Sequence, residues 1–169
     1  MTAPTPSLAD LHETIRAALD DGGIAYSSPA PGQFFVTLPG THKLATSCWL
    51  VVGKHALLVE AFVVRRPDEN AEELYRFLLR RNARLYAVAF SIDATGDVYL
   101  VGRLPLQAVT ADEVDRILGA VLEYADGSFD PLLEIGFASS IRREWAWRKD
   151  RGESLANLQA FARFADPDR

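Results

Sequence analysis

The chain has 169 residues, 49% of them apolar and 24% charged, with a formal net charge of −5 and a single cysteine. That length suits one domain able to bury a core unaided, and the acidic balance argues against a general nucleic-acid binder, whose phosphate contacts need a basic surface. One cysteine excludes an intramolecular disulfide framework and any multi-cysteine zinc site.

Residues 1–6, MTAPTP, read as a flexible tail. The stretch MTAPTPSLADLHE lacks the basic start and apolar run of a secretory signal. No apolar run approaches the roughly 20 residues of a membrane helix. A cytoplasmic protein with no membrane contact is therefore expected. Ser7 can cap a first helix, with Asp10 completing a variant capping box, and Leu8, Leu11, Ile15, Ala18 and Leu19 form its apolar stripe. Asp20-Asp21-Gly22-Gly23 ends it through a left-handed glycine. After the short apolar piece Ile24-Ala25-Tyr26 and the loop SSPAPG, three antiparallel strands follow in series: Gln33–Leu38, Leu44–Val52 and His55–Val64. Gly53-Lys54 suits a two-residue turn between the last two.

Pro67 ends that segment and Asp68 can cap a second helix, with Glu69, Glu72 and Glu73 near its positive end. Arg80, Arg81 and Arg84 sit at its negative end, as solvated charges or as an anion site, and Asn82 is the C-cap. Tyr86, Val88, Phe90 and Ile92 alternate with small residues as a strand; Asp93–Asp97 turns and Val98–Leu104 returns. A third helix opens on the capping box Thr110-x-x-Glu113. Asp130 then caps, and Pro131 starts, a fourth helix to about Lys149. Ser154–Ala165 is helical by the spacing of Leu155, Leu158, Phe161, Phe164 and Ala165. The whole is one α+β domain on an antiparallel sheet, in the order helix, three strands, helix, two strands, helices.

Reactive constellations are not apparent. His12, His42 and His55 fall on a helix, a loop and a hairpin, without metal-site spacing. Cys48 sits in the apolar context TSCWLVV, where a buried thiol is the expectation. Ser139-Ser140 lie in a helical pattern with no Gly-x-Ser-x-Gly around them. The acidic cluster from Asp68 to Glu73 is explained by the helix dipole and solvation. Residues 141–151 place Trp145 and Trp147 among five basic residues. Such a segment could stack on bases or on a partner's side chains, or simply form an amphipathic helix with Ile141 and Trp145 on one face.

Alternation supplies the strongest functional pointer. It sends Phe34, Val36 and Leu38 to one sheet face, and leaves Phe35, Trp49, Val51, Tyr99 and Val101 on the other. Apolar surface of that extent must be covered by the C-terminal helices, a second copy, or another protein's segment.

The helix end Leu78-Leu79-Arg80-Arg81-Asn82, the hairpin Phe90-x-x-Asp93-x-x-Gly96-x-Val98-x-Leu100, and Leu104-Pro105-Leu106 before the Thr110 helix together resemble the YbjN family of bacterial proteins. That family is similar in fold to type III secretion chaperones. The resemblance covers roughly Leu8 to Phe129. It divides a single domain over 7–169 into a core of about 7–130 and a C-terminal helical extension of about 131–166, as in actinobacterial-type members. It brings no catalytic set and no cofactor. It implies the label of sensory-transduction regulator, and chaperone relatives that act as homodimers holding a partner polypeptide in extended form. The expected function is a non-enzymatic protein-binding module, a chaperone-like or regulatory adaptor. It would be a homodimer with a further protein partner, contacting through Phe35, Trp49, Tyr99, Val101, Trp145 and Trp147. The alternative is a small-molecule-sensing regulatory domain on the same fold.

Overall fold

The computed structural model describes residues 6–165, apart from the side chains of Asn157, Ala160 and Phe164. The tail expected at 1–6 lies, but for Pro6, outside the described residues, as does the Phe164 side chain of the last apolar stripe. In chain order the elements are α1 (Leu8–Asp21), β1 (Ala25–Ala30), β2 (Gln33–Pro39), β3 (Ala45–Val52), β4 (Ala56–Val64), α2 (Ala71–Asn82), β5 (Val88–Ile92), β6 (Val98–Pro105), a 3-10 turn at Leu106–Ala108, and α3 (Ala111–Arg151). A second 3-10 turn at Ala156–Phe161 and the short α4 (Ala162–Ala165) follow. The α+β class holds. The sheet is antiparallel throughout, with strand order β1-β2-β3-β4-β6-β5.

One strand more is present than the sequence suggests. AYSSPA carries no apolar alternation and reads as loop, yet β1 forms because Tyr26 and Ser27 pair with Val36 and Phe35 at the sheet's edge. Period-two burial is otherwise as expected: Phe34, Val36, Leu38, Cys48, Leu50, Leu57, Val59, Ala61, Val98 and Leu100 are buried on the inner face. They share one core with Leu11, Ile15 and Leu19 of α1, Leu74 and Leu78 of α2, and Val114, Ile117, Leu118 and Val121 of α3. Ser7 caps α1 with the reciprocal Asp10 contact, and Gly23 takes φ +62° at its exit.

Local rules gave way to packing at several points. Gly53 is not the first turn residue: its N–H donates to the Ala56 carbonyl at 2.9 Å, so the β3–β4 turn centres on Lys54-His55. Asp68 does not cap α2. Asn70 holds the N-cap position in a left-handed conformation with no side-chain cap bond. Asn82 is not the C-cap either. Its amide donates to the Phe90 carbonyl and accepts from the Phe90 N–H at 2.7 Å, pairing with β5 as a neighbouring strand would. At α3 only half of the capping box forms: Thr110 Oγ1 accepts from the Glu113 N–H, while the Glu113 carboxylate turns to Tyr86 and Arg116. β5 begins at Val88, because Ala87 takes φ +60° and leaves Tyr86 exposed outside the strand.

The largest correction concerns Pro131. It starts no fourth helix; α3 runs unbroken through it for 41 residues, about 60 Å at the α-helical rise. An interior proline costs about 3 kcal/mol. Leu132 and Phe137, just beyond it, are buried, and full burial of such side chains is worth about 1.5–3 kcal/mol each. Exposed Gly127, one turn back, can present the carbonyl that Pro131 cannot bond to water.

Two loops clamp this helix. From the β2–β3 loop, the N–H groups of Thr41, His42 and Lys43 all donate to Asp126 Oδ1 at 2.8–2.9 Å. Burial pushes the Asp126 pKa up, but the three donors outweigh it and hold the carboxyl below its usual value. From the β4–α2 loop, Glu69 accepts from Ser139 N–H and Oγ, Asp68 accepts from Ser140 Oγ, and the Gly136 carbonyl accepts the Asp68 and Glu69 N–H groups. Asp68 also takes a paired hydrogen bond from Arg65, which with Ser140 holds its pKa near 2. So two of the acidic residues read as serving the α2 dipole are drawn instead to α3.

A methyl group at Gly40 would lie 2.3 Å from both Asp126 Oδ1 and the Lys43 carbonyl, neither of which can move without opening the clamp. Gly40→Ala is expected to lower unfolding free energy by about 1–3 kcal/mol in urea denaturation, the usual cost of overfilling a packed site. Gly119→Ala, in the interior of α3 with nothing within 4 Å of its added carbon, serves as the control and should hold or slightly raise stability. Asp68 adds stability that is complete above its ordinary pKa of 3.8 and fades as pH falls towards about 2. Asp68→Asn should flatten that part of the acid-unfolding curve.

Candidate functional site

The outer face of the sheet is built by the same alternation that fills the core. Registers place Phe35 opposite Trp49, Trp49 opposite Glu60, Glu60 opposite Val101, and Val101 opposite Ala89, making one row across five strands. A second row runs from Val51 to Leu58 to Arg103, and a third from Phe62 to Tyr99 to Ser91. None of these side chains belongs to the buried core. Trp49 and Phe62 are each 37% exposed, high for such large apolar groups.

Aromatic pairing shapes this surface. The Phe35 and Trp49 rings lie 4.9 Å apart at 57°, and Phe62 meets Tyr99 edge to face at 5.5 Å. Such pairs contribute about 0.5–1.5 kcal/mol beyond area burial and keep the rings ordered without a partner. Glu60 is half-buried in their midst, and Arg103 stands on the neighbouring row.

Of the residues expected to make contacts, Phe35, Trp49, Tyr99 and Val101 come together here. Trp145 and Trp147 do not join them. They ride on the distal part of α3, Trp145 half-buried and Trp147 exposed with the Arg151 guanidinium 4.7 Å above its ring. The arginines around them are locally engaged: Arg148 with Glu144, Arg142 with Ser139 and Arg143 with Ser140. The C-terminal segment packs back on α3, where Arg163 lies 3.6 Å from Asp130, and leaves Trp49 uncovered.

Sequence reasoning missed Phe62 and Leu58. They sit in the near-continuous apolar run ALLVEAFVV, where alternation is hard to see. A bulge between Phe62 and Val64 then turns both Val63 and Val64 inward. Lys43 caps that bulge, its Nζ donating to the Phe62 and Val63 carbonyls at 2.7 and 2.9 Å. The ammonium also lies 5.2 Å from the Phe62 ring centre. Burial lowers the Lys43 pKa to about 8.

The groups with reactive potential are dispersed. Cys48 is fully buried on the inner face, and burial pushes its thiol up to about 12. His12 stacks on Phe34 and accepts the Gly32 N–H at 3.0 Å; His42 Nδ1 lies 2.9 Å from Asp130 Oδ2; His55 is in the β3–β4 turn. Among the described residues no group of three His, Cys, Asp or Glu could hold a metal ion, and no helix is long and apolar enough to cross a membrane.

The α+β fold, a six-stranded antiparallel sheet with packed helices, matches folds of the type III secretion chaperone kind. The structure matches that of the Yersinia pestis type III secretion chaperone SycH in complex with a fragment of YscM2 (TM-score 0.50, 15% identity, 70% of this chain and 97% of that one). It also matches the ExsC–ExsE complex (TM-score 0.52, 18%, 72% and 92%) and the HopA1–SchA chaperone–effector complex (TM-score 0.51, 12%, 68% and 89%). At those identities the likeness is one of fold. Residues 11–134 match the YbjN family, described as "Putative bacterial sensory transduction regulator", and the chain belongs to that family. It is 56% identical over 163 residues to an uncharacterized protein of Mycobacterium tuberculosis strain H37Rv, covering 94% of this chain and 89% of that one. An uncharacterized protein of Mycobacterium leprae is 56% identical over 136 residues, covering 80% and 74%.

Two titrations check this geometry. Cys48 should resist a thiol-specific disulfide reagent in the native protein at pH 8 and react fully in denaturant. Because Lys43 binds its proton less readily folded than unfolded, stability should rise with pH between about 8 and the ordinary lysine value of 10.5. Lys43→Met should abolish that rise.

Proposed function

We propose that the protein is a non-enzymatic protein-binding module, a chaperone-like holder or regulatory adaptor that receives a partner polypeptide on the outer sheet face. The observation that carries this reading is the pair of aromatic contacts, Phe35–Trp49 and Phe62–Tyr99, set with Val101 and Leu58 on a face outside the core. A sheet face spreads its apolar groups over a surface, which suits an extended chain better than a small molecule. Structural neighbours that are complexes of a chaperone with a protein support the reading.

Magnitudes show what such a face can do. Covering about 500 Å² of apolar surface gives roughly 12 kcal/mol at 25 cal/mol per Å². Association costs of about 4–15 kcal/mol offset much of it. Modest affinity follows, with Glu60 and Arg103 giving orientation more than strength. Homodimer formation and a cytoplasmic location belong to the same proposal, as do contacts through Trp145 and Trp147 on the distal part of α3.

Dilution of a chemically denatured model protein in the presence of this chain tests the reading by light scattering. Wild type should suppress aggregation, and the Trp49→Ala, Tyr99→Ala double variant should do so at least several-fold less well while its helical circular dichroism is unchanged. Suppression of equal strength by the folded double variant would remove the outer face from the function. The solution mass, read alongside, should be that of two chains.

A further inference from the structure

On the other side of the molecule, α2 and α3 flank a cleft of about 730 Å³. Its charge runs against that of the chain. Arg76, Arg80, Arg81 and Arg84 all line it, in a protein whose net charge is −5. Phe77, Tyr124, Leu85 and Ile135 supply apolar wall between them. We propose that this cleft binds a small ligand carrying an oxyanion group, a carboxylate or phosphate, on an apolar body.

Three observations carry the assignment. Arg76 is held by Glu72, but Arg80, Arg81 and Arg84 have no carboxylate within 4.0 Å among the described residues. Glu73 and Glu123 share the wall without reaching any of them. Second, Arg81 Nε is shut off from solvent and has no hydrogen-bond partner. A buried donor left unanswered is unfavourable, so an anion in the cleft that draws the guanidinium towards it relieves that state. Third, the Arg81 guanidinium lies 5.3 Å from the Phe77 ring centre, which fixes a planar donor beside an aromatic surface.

The macrodipole of α2 accounts for basic residues in its last turn, Arg80 and Arg81. It does not account for Arg84, which lies past the Ala83 C-cap, or for a donor buried without an acceptor. The cleft's size is that of a small-molecule site, and a guanidinium cluster beside aromatic and aliphatic walls matches an anionic head with an apolar tail. The site is separate from the outer sheet face, and its occupancy does not depend on a polypeptide bound there.

Calorimetric titration of the full chain at constant ionic strength tests this with four probes. Phenyl phosphate and benzoate carry head and body, inorganic phosphate the head alone, and benzyl alcohol the body alone. One of the first two should bind about tenfold or more tighter than either part, and which of them does so separates phosphate from carboxylate as the head group. Arg81→Lys, which keeps the charge but loses the planar fork, and Arg84→Gln on the exposed wall should each weaken that probe about tenfold. Arg84→Gln stands alone as the test if Arg81→Lys fails to fold, and Trp49→Ala should leave binding unchanged. No binding by any probe, no advantage of either phenyl phosphate or benzoate over the head alone and the body alone, or affinity untouched by both arginine variants would each overturn the assignment.

Discussion

The molecule depends on the contact between α3 and the inner face of the sheet. Val114, Ile117, Leu118, Val121, Ala125, Leu132 and Phe137 of that one helix are all buried. Packing of this extent outweighs the local penalty of Pro131 and decides where neighbouring loops go. The β2–β3 loop closes on Asp126, and the β4–α2 loop on Ser139, Ser140 and Gly136. Close approach at Gly136 is obligatory, since a Cβ there would meet Leu74 and Pro67 at 2.8 and 2.9 Å. Because the helices, the core and the clamps all lie on one side, the opposite face of the sheet is left free of structural duty.

That division of labour is what makes a binding reading coherent. The inner face consumes the residues of one parity, and the outer face is free to hold aromatic groups without weakening the fold. Phe35, Trp49, Tyr99 and Val101 could be exchanged for polar residues with little change to the core, so their apolar character needs a reason outside it. The α2–α3 cleft shows the same economy in another place. Arg76, Arg80 and Arg81 project from a helix whose Leu74 and Leu78 already secure it to the core.

Much of this was legible in the residues because period-two and 3.6-residue patterns report which side of an element is buried. The inner and outer sheet positions, the α1 cap at Ser7 and the Asp93–Asp97 turn follow from local chemistry alone. Asp93 Oδ1, for instance, accepts from the Thr95 and Asp97 N–H groups in that turn. Non-local forces hid the rest. β1 exists only because β2 offers it a pairing edge, and the bulge that turns Val64 inward beside Val63 hid the alternation around Phe62. Asp68 and Asn82 look like helix caps, and Glu69 like a charge serving the helix dipole, until the partners they prefer, Arg65, Ser139, Ser140 and Phe90, are brought near by the fold. The arginines ending α2 could not be told from solvated charges without knowing that α3 walls them in.

β5 is the last strand of the sheet, and the amide of Asn82 lies against it. A strand at the rim of a sheet offers unpaired main-chain groups on which any other extended chain can crystallise, and proteins with sticky faces run the greatest risk. By docking its side chain on the Phe90 N–H and carbonyl, Asn82 acts as a stopper for that rim. At the opposite rim, Pro29 interrupts the donors of β1. With both borders blunted, a molecule bearing Trp49 and Phe62 in the open offers other strands little edge to pair with.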